Sequence, residues 1–515
     1  MASLSASLAK VGGNTLLSRI LGFVRDLVVA RVFGADAATD AFFVAFKIPN
    51  FMRRLFAEGA FSMAFVPVLD QYRRQEDPEG LKRFVDDITG TLGAGLLLLT
   101  ILGVFGAPVL ILAFAPGFAA DADQRELAAG LLQLTFPYLL FISLTALAGG
   151  ILNTYERFGV PAFTPVILNL SLIGCALWLA PHLDRPIVAL ALGVLIAGVA
   201  QLAFQIPFLR QLGLLPRPRL NIRDPGVRRV LMTMGPAIFG VSVAQISLLL
   251  DTILASLLAT GSISWLYYSD RLMEFPLGIL AVALGTVILP SLSQRHAEQD
   301  PEAFSATLEW ALRWVLLLGL PASIGLLALS GPLMATLFHS DAFGTEDVTM
   351  ASLSLMAYAP GILGFMAIKV LAPGYYARHD TRSPVRIAAI ALTADIGVSL
   401  ALMYPLGHAG LAIGTTVAAT VNAGLLLQGL LRCGALRSRP GWPALIAKGA
   451  SASLAMGALI MLGSGSPESW IALDQGTRIL KLFAWILAGG LVYAAILLAL
   501  GIRPGHFMPR PTSSP

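Results

Sequence analysis

At 515 residues the chain is long enough for several domains, yet 56% of it is hydrophobic and only 13% is charged, against roughly 25% charged residues in a soluble protein. Apolar runs such as 92–104, 188–208 and 483–500 carry no polar stripe, which excludes a soluble fold and predicts an all-α integral membrane protein with about fourteen spans. The two cysteines, Cys175 and Cys433, sit in or beside apolar segments and exclude a disulfide framework or a metal-ligand spacing.

Residues 1–10 lack a cleavable signal pattern, and the first span is too rich in charge to be the apolar core of one. SRILGFVRD at 18–26 and ATDAFFVAFKIPNFMRRLFAEGAFSMAFVPVL at 38–69 set Arg19, Arg25, Asp26, Asp40, Lys47, Arg53, Arg54 and Glu58 into two otherwise apolar spans. An arginine at the bilayer centre costs roughly 2.5 to 3.5 kcal/mol, so these groups must face protein or water. Arg19 and Asp26 are spaced to share a helix face that Arg25 does not share. Further on, Pro49 predicts a kink, and Lys47, Asn50 and Arg54 lie along one side. Glu58, four residues after Arg54, is spaced for an ion pair with it.

Alternate loops collect the basic residues, from Arg73, Arg74, Lys82 and Arg83 through Arg217, Arg219 and Arg223 to Arg437 and Arg439. The opposite loops, at 34–40, 115–123, 339–347 and 463–469, are nearly free of Lys and Arg. That asymmetry places both termini in the cytoplasm. No aromatic interleaving or recognition module accompanies the basic loops, so no nucleic acid is expected.

The chain also matches itself at a shift of 223 residues: Pro67, Leu69 and Gln71 fall on Pro290, Leu292 and Gln294, Pro137 on Pro360, and Pro161 on Pro384. Two six-helix repeats follow, with the same orientation, forming two lobes. The expected organisation is an N-lobe at 1–222, a C-lobe at 223–438, two additional spans within 439–502 and a cytoplasmic tail at 503–515.

In the second repeat, YYSDRLMEFPLGILAVALGTVILPSLS at 267–293 carries Asp270, Arg271 and Glu274. Pseudo-symmetric packing would bring Arg271 to Arg19, Arg25 and Arg53 around one cavity, where guanidinium forks suit phosphate oxygens. Pairing with the nearby carboxylates is the alternative. Asp251 and Asp395 lie in apolar surroundings, with Thr415, Thr416 and Thr420 on a later span; no Lys or Arg in those spans is an obvious partner, and Lys369 in the tenth span is a candidate. A buried carboxylate must be protonated, paired or bound to a cation, so a Na⁺ or H⁺ site and a hydrogen-bonded structural acid both remain open. There is no nucleotide-binding, metal-ligand or catalytic-triad pattern, so an enzyme is not expected.

The two stretches at 18–69, with APGF at 115–118, TFPYLLFISL at 135–144, ILNTYERFGVPAFTPVILN at 151–169, MGPAIFGVSVAQI at 234–246 and SWLYYSDRLMEFPLGILAVALGTVILPSLS at 264–293, resemble the MurJ (MviN) family of lipid II flippases. That family lies in the multidrug/oligosaccharidyl-lipid/polysaccharide exporter superfamily, and the resemblance covers the chain well to about residue 433. It implies that undecaprenyl-diphosphate-linked peptidoglycan precursor, lipid II, is moved from the inner to the outer leaflet of the bacterial cytoplasmic membrane without covalent chemistry. Arg19, Arg25, Arg53 and Arg271 would be the cavity arginines, with Arg25, Arg53 and Arg271 best placed for the diphosphate. Asp26, Asp40, Ser264 and Glu274 match positions important in the family, and Asp251 and Asp395 look similar to the ligands of a Na⁺ site in some members. The last two helices would supply a groove for the polyprenyl tail, and cell wall synthesis machinery is an implied partner. The competing readings are another polyprenyl-diphosphate-oligosaccharide flippase, a cation-coupled multidrug exporter of the same superfamily, and a membrane scaffold for wall enzymes.

Overall fold

The computed structural model describes residues 2–55, 61–75, 77–438 and 440–502, and every regular element among them is helical. The first half contains α1 (Ala2–Phe33), α2 (Ala37–Arg53), α3 (Ser62–Arg74), α4 (Pro78–Phe105), α5 (Ala107–Phe114), α6 (Ala122–Thr135), α7 (Tyr138–Thr154), α8 (Gly159–Gly174) and α9 (Val188–Gln211). Then come α10 (Pro225–Ser256), α11 (Ser262–Ala297), α12 (Pro301–Ala328), α13 (Ser330–Leu337), α14 (Thr345–Tyr358), α15 (Gly361–Tyr376), α16 (Arg382–Leu406) and α17 (His408–Arg432). The chain closes with α18 (Trp442–Ser464), α19 (Pro467–Ile471) and α20 (Gln475–Ala499).

The repeat read from the sequence recurs in the helix bounds. Helices α10, α12, α13 and α14 begin and end 223 residues after α1, α4, α5 and α6, and α15 and α16 begin 223 residues after α7 and α8. Local chemistry repeats with them. Asp77 and Asp300 cap α4 and α12 by accepting from the Gly80 and Ala303 N–H groups, each at 2.9 Å, and a proline opens each helix where its missing N–H costs nothing.

Nine helical spans among the described residues are long and apolar enough to cross a membrane, and a tenth forms if α14 and α15, bent by 44° at their junction, are one broken span. The fourteen expected spans also counted α1, the α2–α3 pair, α10 and α11, which are not among these nine or ten; apart from Asp395 on α16, the charges in question sit there. Helix α20 buries only Arg478, Leu482 and Gly489, while Leu480, Phe483, Leu487 and Leu491 are exposed. An outer face of that size and apolarity is solvated by lipid rather than water.

By packing, the chain forms two compact units, Met1–Ser264 and Trp265–Pro515. Helix α10 opens the second repeat in sequence but packs on α3, α4 and α5 in the first unit. Its Val227, Val230 and Met234 complete a core with Phe61, Phe65, Phe84 and Leu147, so the packing boundary lies later in the chain than the repeat boundary.

At three prolines within spans a neighbouring hydroxyl takes up the carbonyl that the proline frees four residues earlier. Helix α2 continues through Pro49 to Arg53, and the Thr135 hydroxyl of α6 donates to the Ala45 carbonyl at 3.2 Å. In α8, with Pro165, Thr164 donates to Pro161 at 2.7 Å. In α12, with Pro321, Tyr493 of α20 donates to Leu317 at 2.6 Å.

Candidate functional site

Helix α1 packs on α8, and the charged turn of α1 is held from there. Arg25 donates through Nε and Nη2 to Asp26 Oδ1, at 2.9 and 2.6 Å, and through Nη1 to Asn169 Oδ1 at 3.0 Å. Asn169 in turn donates to the Ser18 carbonyl at 3.0 Å. The Asp26 side chain is 2% exposed and that of Arg25 12%, a burial that only paired charges sustain. Face spacing put Asp26 with Arg19; instead the long Arg25 side chain folds back onto its neighbour in sequence, and Arg19 is exposed.

On α2, Arg53 donates through Nε to Asn50 Oδ1 at 2.9 Å, so Asn50 orients Arg53 rather than lining up with Arg54, which is exposed. Glu58, the expected partner of Arg54, lies outside the described residues. Sequence reasoning missed Tyr138, a fully buried residue at the start of α7 whose hydroxyl lies within electrostatic reach of both Arg53 and Arg25. The break that Pro137 makes between α6 and α7 is the signal that could have drawn attention to it.

The structure brings Asp40 and Ser264 together. Asp40, 2% exposed, accepts from the Gly261 N–H at 2.7 Å, the Ser264 N–H at 2.9 Å and the Ser264 hydroxyl at 2.6 Å. It thereby caps the start of α11, where unsatisfied N–H groups and the helix dipole favour a carboxylate. Gly261 stands at φ 92°, a left-handed turn that suits glycine and aims its N–H at Asp40.

In the second unit, Arg271 donates through Nη1 to Glu274 Oε2 at 2.7 Å and through Nη2 to the Tyr267 hydroxyl at 3.3 Å, and its guanidinium lies 5.4 Å from the Tyr267 ring centre. Pairing therefore occurs at Arg25 and at Arg271. Asp251 is half-buried on α10 in the first unit, and Asp395 is 4% exposed on α16 in the second. The Ser399 hydroxyl lies 3.4 Å from Asp395 Oδ1. Thr415, Thr416 and Thr420 donate instead to the carbonyls of Leu411, Ala357 and Thr416, and Lys369 is exposed. Among the described residues no group of three or more His, Cys, Asp or Glu is gathered as for a metal ion.

Residues 29–474 match the family described as lipid II flippase MurJ. This chain belongs to the MurJ family. It is 45% identical over 507 residues to the probable lipid II flippase MurJ of Haemophilus influenzae, covering 96% of this chain and 99% of that one. With the lipid II flippase MurJ of Burkholderia cenocepacia it shares 42% identity over 515 residues, 99% of each chain. A solved lipid II flippase MurJ in an inward closed conformation superposes with a TM-score of 0.80 at 27% identity, covering 96% of this chain and 99% of that one. An inward-facing multidrug resistance MATE family transporter shares the fold, with a TM-score of 0.63 at 16% identity, covering 81% of this chain and 94% of that one. The expected family and the all-α membrane fold hold for this chain, while nine or ten of the fourteen expected spans are long and apolar enough among the described residues.

Proposed function

We propose that this chain moves lipid II from the inner to the outer leaflet of the bacterial cytoplasmic membrane by alternating access, for cell wall synthesis. The observation that carries the reading is that Arg25 and Arg53, on two helices within the membrane-spanning part of a MurJ-family chain, are each oriented by an asparagine oxygen, Asn169 Oδ1 and Asn50 Oδ1. A diphosphate with a bulky polar head cannot cross hydrocarbon unaided, and fixed guanidinium groups replace its hydration while the tail stays in lipid. Arg25, Arg53 and Arg271 are the proposed diphosphate contacts, with Arg19 at their edge; Asp26, Asn50 and Glu274 hold three of them in orientation.

Both termini are proposed to lie in the cytoplasm, on the side of the basic loops. An inside-negative potential favours outward movement of the anion, by about 2.3 kcal/mol per charge per 100 mV. Na⁺ coupling through Asp251 and Asp395 belongs to the same proposal; the buried Asp395 carboxylate and the Ser399 hydroxyl supply oxygen donors of the kind a hard cation takes. Asp395→Asn with flux unchanged across Na⁺ concentrations removes that part alone. Coupling to wall-synthesis enzymes is likewise proposed.

The deciding experiment is leaflet-resolved measurement of lipid II in vesicles containing the purified protein. Faster redistribution than in protein-free vesicles is expected. Equal rates under an imposed potential and an imposed Na⁺ gradient would overturn the reading.

A further inference from the structure

A cavity of about 250 Å³ opens inside the first unit, between the end of α2, the start of α3 and the helices α7, α8 and α9. Arg53 stands on one side of it, and Thr145, Gly149, Thr164 and Gln205 form much of the remaining wall. Arg53, Ser62 and Asn153 carry donors at its more exposed edge, whereas its buried wall offers chiefly acceptors. Gln205 is 1% exposed, and its Oε1 has no partner among the described residues. A buried amide oxygen left unsatisfied costs about 1–3 kcal/mol, so it calls for a donor. Thr145 and Thr164 already donate their hydroxyl protons, to the carbonyls of Phe141 at 2.8 Å and Pro161 at 2.7 Å. What those hydroxyls have left to offer is acceptor lone pairs.

The space is kept open by Gly149. A Cβ there would stand 3.3 Å from Pro161 Cβ and 3.9 Å from Gln205 Nε2, so a side chain would fill the room between α7, α8 and α9. Ile142 and Pro161 give the cavity an apolar wall. None of the described lining residues is acidic. An occupant that matches this wall presents several O–H or N–H donors, has an apolar C–H face, is about the size of one sugar ring and is joined to an anion at the Arg53 side.

We propose that the cavity receives one N-acetylated hexosamine ring of the lipid II headgroup, leaving the diphosphate at Arg53. The proposal rests on the lipid II reading above and adds to it a subsite that distinguishes the sugar-bearing lipid from its bare carrier. Acceptors at Gln205, Thr145 and Thr164 take the ring hydroxyls or the acetamido N–H, and the Ile142 and Pro161 wall takes the C–H face.

The test uses the full-length protein in nanodiscs, titrated separately with lipid II and with undecaprenyl diphosphate. Gln205→Leu and Thr145→Val remove acceptors at nearly constant volume, and Ala146→Leu fills the cavity without touching an arginine. Each is expected to weaken lipid II binding about tenfold, the loss of one or two hydrogen bonds to buried groups, while leaving undecaprenyl diphosphate binding within about twofold. Unchanged lipid II affinity in all three variants would mean that the cavity holds only water, and equal weakening of both ligands would mean a general disturbance of the bundle; either overturns the subsite. If the unsubstituted protein binds undecaprenyl diphosphate but not lipid II, the lipid II reading itself falls, a result distinct from failure of the subsite.

Discussion

The Tyr493 hydroxyl donates to the Leu317 carbonyl at 2.6 Å, and Leu317 is the residue whose helical hydrogen bond Pro321 removes. One side chain on the last helix thus completes the backbone of a helix 176 residues earlier. In lipid an unsatisfied carbonyl has no water to turn to, so this contact explains why α12 accepts a proline and why α20 packs where it does. Tyr493→Phe is expected to lower stability by about 1 kcal/mol. The loss should nearly vanish in a Pro321→Ala background, where the carbonyl regains its own N–H. Thermal unfolding of the four proteins in detergent measures this coupling; equal losses in both backgrounds would refute it.

Asp40 is satisfied by three donors at the start of α11. Asp40→Asn keeps the shape but turns an amide N–H toward the Gly261 N–H, a donor against a donor. A loss of about 2–3 kcal/mol is expected, larger than the roughly 1 kcal/mol for Ser264→Ala, which removes one of the three bonds. Chemical denaturation of the two variants ranks them, and the reverse order would show that the hydroxyl, not the helix N-terminus, is the main partner.

Arg53→Lys retains the charge but loses the Nε bond to Asn50 and the planar fork. Lipid II redistribution in vesicles is expected to fall by more than tenfold with normal protein level. If lysine serves equally well, a point charge suffices and bidentate contact is not used.

Arg25→Ala, Arg53→Ala and Arg271→Ala are each expected to abolish growth in a strain that depends on this gene, while membrane abundance stays normal. Glu274→Ala, which releases Arg271 from a half-exposed pair, should be milder, since such pairs contribute about 0–1 kcal/mol. Full complementation by all three arginine variants would end the case for diphosphate contact.

Arg478 is 6% exposed and donates to the carbonyls of Leu473, Ile471 and Ala335, with His339 Nδ1 at 3.0 Å. It ties the loop after α19 and the end of α13 to α20. Arg478→Met keeps the stem but strands these carbonyls, and a loss of about 3 kcal/mol is expected. A melting temperature equal to the parent's would show that other donors replace it.

Much of the fold was legible because membrane spans announce themselves by length and apolarity, and a duplicated chain announces itself by prolines in step. The 223-residue shift seen in Pro67 and Pro290 returns in the bounds of α1 and α10 and of α4 and α12. The site was less legible. Face spacing on one helix assigned Asp26 to Arg19 and ranked Asn50 with Arg54, whereas Asp26 holds Arg25 and Asn50 holds Arg53. The flexible Arg25 side chain reaches a neighbour that an ideal helical wheel separates, and Arg53, three residues from Asn50, lies as near to it on the wheel as Arg54 does.

Hydropathy, charge asymmetry and the internal repeat are properties of residue order, so the chain alone determined that it spans a membrane, is duplicated and keeps arginines inside its spans. Which group answers each of those arginines depends on helices brought together from far along the chain: Asn169 lies 144 residues from Arg25, and Ser264 lies 224 residues from Asp40. Tertiary packing alone decided the burial of Tyr138, the Thr135 and Tyr493 hydroxyls that complete α2 and α12, and the cavity at Gln205, because each needs two or more helices in place before its partner exists.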